Sequence, residues 1–312
     1  MTNSSQSKQS STGISAKVLI PVDFSPKGEL ALNVGFELAR RLDKEVELIH
    51  ASTIPDPTDI PQFPDDFNGL DNENSEIEEM ELSMEVRAID EHGMEILKKK
   101  INKLQSEGSL PDIKFSTVIA PGMPEEVISE YCAATPPSVV VMATRGRRKR
   151  QEELIGSVTA EVIDHCVAPV FTVPEDYTFI GFKDIVRICA FCYFDNEDFN
   201  AIDKLMSMFD KPEVKIYLFP ATEKIKEEAM TQALQALQQK LQINFPNSDF
   251  LIGDTSIGKK LRDQAEELFN TEKIQMILAP NKKRNAISRF FHPGLAHKVL
   301  YEIDFPMLAI PV

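Results

Sequence analysis

The amino-acid sequence predicts an α/β protein of two tandem doubly wound, Rossmann-like domains, each with a five-stranded parallel sheet. Short apolar runs alternate with segments of helical spacing, which is typical of a parallel sheet covered by helices on both faces. The same alternation then occurs a second time. The fourth apolar runs align at an offset of 136 residues, Met142 with Leu278, and the last runs at 137, Pro169 with Pro306. This self-similarity indicates duplication of a whole domain.

The chain length agrees with this division, because 312 residues correspond to about two domains of roughly 150 residues. Residues 1–15 are polar and are expected to form a disordered lead. We predict the first domain at residues 16–175 and the second at residues 184–312. The first contains an acidic, proline-rich segment at residues 53–79, which we interpret as an exposed insertion.

Each strand of the first half is a short apolar run that is rich in β-branched residues or bounded by turn-forming residues. The predicted strands are 16–25, 45–52, 113–120, 138–144 and 169–174. Helical spacing predicts helices over 26–43, about 80–104, 124–134 and 156–166. In the second half, the predicted strands are 184–194, 213–221, 248–254, 274–281 and 306–312, and the segments between them, including 227–241 and 258–269, have helical spacing.

Composition excludes several classes of protein. The formal net charge of −15 argues against broad nucleic-acid binding, and no apolar run approaches the roughly 18 residues that cross a bilayer. Four cysteines do not make a disulfide framework, so we expect a reducing, cytoplasmic location. Cys189 and Cys192 lie three apart in a predicted strand and should face opposite sides of the sheet. No pair of histidines has the spacing of metal ligands, so no metal site is predicted.

Two segments of the first half converge on the carboxyl edge of its sheet, where open parallel sheets bind ligands. Asp23 follows the first strand and can accept hydrogen bonds from a base or a ribose. The fourth strand runs into a loop with five basic residues among the six positions 145–150. Gly156 and Ser157 then open a helix with free N–H groups, which favours an anion. We interpret this loop as a phosphate site; the alternative is a solvated loop, or a loop neutralised by the acidic insertion.

These residues resemble the universal stress protein family, in a tandem two-domain form. Nucleotide-binding members carry Gly-x-x-Gly-x9-Gly-(Ser/Thr) after the fourth strand; here the segment matches from Gly146 to Ser157, with Ala143 in place of the first glycine. The resemblance covers residues 16–174 well and 184–312 in outline. It implies binding of ATP or another adenine nucleotide, with or without magnesium, a dimer through the last strands and a role in stress survival. The implied ligand-binding residues are Pro21, Asp23, Ala51, Met142, Ala143, Arg145, Gly146, Arg147, Gly156, Ser157 and Val158.

Ala143 departs from the family pattern. If the family's glycine there has a positive φ or contacts the nucleotide, a Cβ atom would cost about 1 kcal/mol or more. Arg145, Arg147 and Lys149 could compensate through contacts with phosphate.

The second half does not carry the motif. Lys282 stands in place of Gly146, and His292-Pro293 replace Gly156-Ser157. Proline lacks the amide donor that a phosphate would need. After the first strand of this half, Asp195 comes two or more residues too late to match Asp23. We expect this half to keep the fold and to lack the nucleotide site.

Three functions remain open at this stage. The first is a nucleotide-binding stress protein whose first half holds the ligand. The second is an enzyme, such as a slow ATPase, although we find no candidate base or nucleophile beside the phosphate loop. The third is a protein without nucleotide that acts through partners. The last strand of each half suits edge pairing, either within one chain or between two chains.

Overall fold

The computed structural model describes residues 16–25, 28–53, 72–144, 157–179, 181–209, 213–221, 227–253, 261–281 and 305–312. The predicted lead at residues 1–15 and the whole loop 145–156 lie outside these ranges. The strands are β1 Val18–Pro21, β2 Val46–Ser52, β3 Phe115–Pro121, β4 Val139–Thr144, β5 Val170–Pro174, β6 Arg187–Cys192, β7 Lys215–Pro220, β8 Asp249–Ile252, β9 Met276–Asn281 and β10 Met307–Pro311. The α-helices are α1 Gly28–Leu42, α2 Asn72–Ser106, α3 Pro124–Ala134, α4 Ser157–His165, α5 Asn196–Phe209, α6 Glu227–Asn244 and α7 Leu261–Glu272.

The ten strands within the described ranges form one sheet in the order β3-β2-β1-β4-β5-β10-β9-β6-β7-β8. Within each half every pairing is parallel, which confirms the predicted fold class. Between the halves, β5 and β10 pair antiparallel, with Phe171 opposite Leu308. The last strands therefore join the two halves within one chain, which is the first of the two arrangements that the sequence left open.

Two apolar layers cover the two faces of this sheet. The first layer receives side chains from α1, α2, α5 and α6, and the second from α3, α4 and α7. The first layer is continuous across the junction: the ring of Phe182 lies 5.6 Å from that of Phe171 and 5.3 Å from that of Phe209 on α5. Cys189 packs in the second layer and Cys192 in the first, so the two thiols face opposite sides of the sheet as the spacing predicted. Among the described residues, no helix combines the length and apolarity needed to cross a membrane.

The alignment of the two halves needs one correction. Leu19 of β1 is level with Val140, and Cys189 of β6 is level with Ile277, which sets the fourth strands at an offset of 137 residues. A one-residue slip would exchange the faces of the sheet. Met142 indeed packs in the same layer as Ala279, whereas Leu278 packs in the other layer. The predicted offset of 136 was wrong because both runs are apolar on both faces.

The helix predicted over about 80–104 is longer than expected. α2 begins at Asn72, so the end of the predicted insertion at residues 53–79 is helical. Residues 54–71 of the insertion lie outside the described ranges.

A buried carboxylate ties the amino edges of β1, β2 and β3 together. Glu47 accepts hydrogen bonds from Lys17 Nζ at 2.9 Å, Ser116 Oγ at 2.7 Å and the Tyr131 hydroxyl at 2.5 Å. Burial alone would raise the pKa of Glu47, but these hydrogen bonds outweigh it and hold the pKa below its ordinary value.

We therefore expect Glu47 to make stability depend on pH in the acidic range. Because its pKa is lower in the folded protein, its contribution is complete above its unfolded pKa of about 4.3 and is lost as the pH falls through the folded value. Glu47→Gln should lower the free energy of unfolding by about 1–3 kcal/mol at neutral pH and flatten its acid dependence. Urea unfolding across pH measures both. The control is Glu130→Gln, at an exposed position on α3, which should keep the acid dependence of the wild type. If stability in Glu47→Gln fell with pH as steeply as in the wild type, this assignment would be contradicted.

Candidate functional site

The order of the strands places a crevice at the carboxyl edge of the first half. From β1 the chain proceeds outward to β2 and β3, then returns to the other side of β1 to form β4 and β5. The switch point therefore lies between β1 and β4, where open α/β sheets bind ligands. Pro21 of β1 is level with Ile49 of β2, and continuing this register places Asp23 at the level of Ala51.

Asp23 lies in a tight turn between β1 and α1 and is exposed. Its Oδ1 atom accepts a hydrogen bond of 3.0 Å from the Ser25 amide, and Phe24 adopts a positive φ of 58°. The Val22 amide donates to the Ile49 carbonyl at 2.9 Å, which anchors the start of the turn to β2. The turn thus holds a carboxylate at the edge of the switch point.

Three of the implied ligand-binding residues share one face of the sheet. Ala51 near the end of β2, Met142 in β4 and Val158 in the first turn of α4 all contact the second apolar layer. Met142 is buried, whereas Ala51 and Val158 are half-buried. The structure therefore brings apolar side chains from β2, β4 and α4 to the side of the crevice that α3 and α4 cover.

Ala143 has ordinary strand geometry. It lies in β4 opposite Val173 of β5 and is not among the residues with positive φ. Its side chain contacts the first apolar layer, on the face opposite to Met142. The backbone at this position therefore accommodates alanine without a left-handed conformation.

The remaining implied residues are placed in part or not at all. Pro21 ends β1 and is half-buried, and Ser157 is the first residue of α4, so a helix does begin where the motif ends. Arg145, Gly146, Arg147 and Gly156 lie outside the described residues, as does Lys149. Their contact with phosphate stays a prediction.

The second half has the same turn with different residues. The register of β6 with β7 places Tyr193 at the position of Asp23, and Phe194 at that of Phe24, with a similar φ of 68°. Here a buried carboxylate occupies the turn: Asp198 accepts hydrogen bonds from the amides of Tyr193 at 2.9 Å and Phe194 at 2.7 Å. Asp195 lies two residues after the position of Asp23, as the sequence indicated.

Asp198 corresponds to Gly28 of the first half, which has no side chain to place in the turn. Burial raises the pKa of Asp198, although its hydrogen bonds to the turn amides act in the opposite direction. The buried Asp198 therefore satisfies the amides of the second turn, and the exposed carboxylate of this half, Asp195, comes two residues after the position of Asp23 and accepts a hydrogen bond of 3.0 Å from the Glu197 amide. With the corrected offset of 137, Pro293 stands at the position of Gly156 and Lys283 at that of Gly146; both lie outside the described residues.

Sequence reasoning missed one feature of the site. His50 of β2 contacts the turn through the Val22 carbonyl, and its ring lies 4.2 Å from the ring of Phe24. The His50 Nε2 atom lies 3.1 Å from Asp90 Oδ1 on α2. The position of His50 beside Ala51 at the end of β2 was a clue in the sequence. Its partner Asp90 is 40 residues away in the sequence, on the helix predicted over about 80–104, and the sequence does not show which residues of that helix face β2. Among the described residues, no group of three or more His, Cys, Asp or Glu side chains could hold a metal ion.

The fold and this crevice define a tandem doubly wound α/β protein whose first half presents an exposed acidic residue, Asp23, at its switch point. The family model of the universal stress protein family matches residues 15–174. The chain belongs to the universal stress protein family.

Individual relatives agree with this assignment. Universal stress protein MJ0577 of Methanocaldococcus jannaschii is 28% identical over 160 residues, which are 50% of this chain and 93% of that protein. The crystal structure of a universal stress protein from Archaeoglobus fulgidus superposes with a TM-score of 0.65 at 14% identity, covering 95% of this chain and 99% of that one. A putative universal stress protein from Pseudomonas aeruginosa gives a TM-score of 0.54 at 10% identity over 95% of this chain and 94% of its own. At these identities, the two structures support the fold of the whole chain.

Proposed function

We propose that this universal stress protein binds ATP or another adenine nucleotide, with or without magnesium, in the crevice of its first half. The observation that carries the proposal is the exposed Asp23 at the β1–β4 switch point, beside the apolar face of Ala51, Met142 and Val158. An apolar wall with a few polar groups suits a base and its sugar. The start of α4 at Ser157, directly after the glycine motif, suits the phosphates.

The second half has a supporting role in this proposal. Its last strand β10 pairs with β5 and continues the sheet, and Asp198 accepts hydrogen bonds from the amides of its own turn. We propose that one chain thus forms a pseudo-dimer with one nucleotide site. The four cysteines are buried free thiols, which suits a reducing compartment, and we place the protein in the cytoplasm with a role in stress survival.

Direct binding tests this function. Nucleotide released by heat from the purified protein, or a titration of the ligand-free protein with ATP, ADP and AMP, should reveal binding, and bound ligand should raise the melting temperature. We expect no time-dependent ADP formation, since we propose a binding protein. Absence of both released nucleotide and a thermal shift at millimolar ATP would favour a protein that acts through partners. ADP formation that disappears in Asp23→Ala would favour the slow ATPase.

A further inference from the structure

A hydrogen-bonded link connects the turn of Asp23 to helix α2. His50 lies at its centre: the Nδ1 atom is 2.8 Å from the Val22 carbonyl oxygen, and the Nε2 atom is 3.1 Å from Asp90 Oδ1. Asp90 is 8% exposed, and its Oδ2 atom has no hydrogen-bond partner among the described residues. Val22 directly precedes Asp23, so the link acts on the residue next to the proposed ligand-binding carboxylate.

The partners of His50 fix the number of protons in the link. A carbonyl oxygen only accepts, so Nδ1 must carry a proton. A second proton must lie between Nε2 and Asp90, because a bare nitrogen lone pair facing an ionised carboxylate would repel it. A neutral histidine beside an ionised aspartate has only one such proton and satisfies one partner at a time. Both contacts therefore hold only when the pair carries both protons.

We propose that His50 and Asp90 are positioning residues that hold the turn of Asp23 in its nucleotide-binding conformation, through a proton that the pair shares. The proposal rests on the proposed function and adds a regulation to it: affinity for nucleotide falls as pH rises and the shared proton is lost.

The surroundings of the turn support this role. A Cβ atom on Gly93 of α2 would lie 2.9 Å from the ring of Phe24, so only glycine lets the helix approach this closely. Phe24 in turn stacks on His50 and has a positive φ, a conformation that persists only where neighbours impose it. Helix α2 therefore contacts the turn in two ways: directly at the Phe24 ring, and indirectly through His50 of β2, which contacts both Asp90 and the Val22 carbonyl.

The second half provides an internal comparison. The register of β6 with β7 places Pro220 at the position of His50, so the link cannot form there. The turn is held instead by Asp198, which accepts from its amides. The half without an acidic residue at the Asp23 position is thus also the half without the histidine.

Among the described residues, charged groups lie on the turn, on α1 and on α2, the elements around the ring. Asp23 lies on the turn and Asp90 on α2, while Arg87 and Glu91 of α2 pair with each other at 3.3 Å in exposed positions. On α1, Glu29 pairs with Lys100 of α2.

Two substitutions of Asp90 distinguish an effect of the shared proton from an effect of side-chain packing. Asp90→Asn places an amide donor beside Nε2, so a neutral ring satisfies both neighbours at every pH. Asp90→Ala removes the partner altogether. Calorimetric titration of the full chain with ATP measures the affinity. At pH values at which the wild-type pair keeps its shared proton, Asp90→Ala should weaken binding about tenfold. Asp90→Asn should keep the wild-type affinity and remove its fall with rising pH. The ratio of the wild-type affinity to the Asp90→Asn affinity at each pH cancels the effect of titration of the nucleotide itself.

A second readout does not need nucleotide. Hydrogen exchange of the Ser25 amide, which donates to Asp23, should accelerate in Asp90→Ala and stay unchanged in Asp90→Asn. The exposed His92→Gln on the same helix is the matched control and should alter neither measurement.

The outcomes separate this inference from the proposed function. If the wild-type protein binds no nucleotide but Ser25 exchange responds as expected, the nucleotide function fails and the link to the turn stands. If the wild-type protein binds and Asp90→Ala binds equally well, the positioning role is overturned. If Asp90→Ala and Asp90→Asn lost affinity for nucleotide equally, the role of the shared proton would be overturned. Should Asp90→Ala fail to fold, the pH profiles of the wild type and Asp90→Asn still decide the matter.

Discussion

Replacing Asp23 with alanine is expected to weaken the binding of adenine nucleotides by about 10- to 100-fold. A hydrogen bond to a charged group contributes about 1.5–3 kcal/mol, and each 1.4 kcal/mol is a factor of ten in affinity. Asp23 is exposed, and among the described residues its carboxylate accepts a hydrogen bond from the Ser25 amide two residues away, so the fold should survive the change. Calorimetric titration gives the affinity, and the melting temperature of the ligand-free protein reports the fold.

Two further variants sharpen this test. Asp23→Asn keeps an acceptor for the Ser25 amide but removes the charge, so an intermediate loss would show that the charge itself contributes. Asp112→Ala removes another exposed carboxylate, just before β3 at the opposite edge of the sheet, and should leave affinity unchanged. Unchanged affinity in Asp23→Ala would exclude this residue from the site.

Phe171→Ala is expected to destabilise the protein by about 3–5 kcal/mol, the usual cost of removing a fully buried phenylalanine. Phe171 is 0% exposed, lies in β5 opposite Leu308 of β10, and packs on Phe182 between the halves. Its loss leaves a cavity at the antiparallel pairing of β5 with β10. Urea unfolding followed by circular dichroism measures the change, since the chain has no tryptophan.

The control for this substitution is Ile243→Ala, at a side chain that is 80% exposed on α6. A surface change of this kind should stay within about 0.5 kcal/mol. A loss of less than about 1 kcal/mol in Phe171→Ala would show that the junction does not bind the halves into one core.

The sequence predicts the strands and their order of occurrence well, for a physical reason. Parallel strands buried on both faces are continuous apolar runs, and Val139–Thr144 or Met276–Asn281 contrast sharply with the amphipathic helices beside them. The same property hides the register. Apolar side chains on both faces carry no alternation, which is why the offset of Met142 was wrong by one residue.

Some residues of the candidate site can likewise be predicted from the sequence, and others cannot. Asp23 is predictable because turn residues follow a buried strand, and the helix start at Ser157 because of the preceding glycine. The partnership of His50 and Asp90 is not, since it depends on how α2 crosses the sheet after an acidic segment that contains four prolines between positions 55 and 64. The filling of the second turn by Asp198 also requires the structure, because an aspartate near a helix start is common for other reasons.

The number of nucleotides bound per chain tests the central claim most directly, namely that the first half alone holds the ligand. Calorimetric titration of the wild-type protein should give one adenine nucleotide per chain. Gly156→Pro, which removes an amide at the predicted phosphate loop, should abolish the binding, and His292→Ala in the second half should leave it intact. Two nucleotides per chain, or equal losses from the two substitutions, would contradict the account.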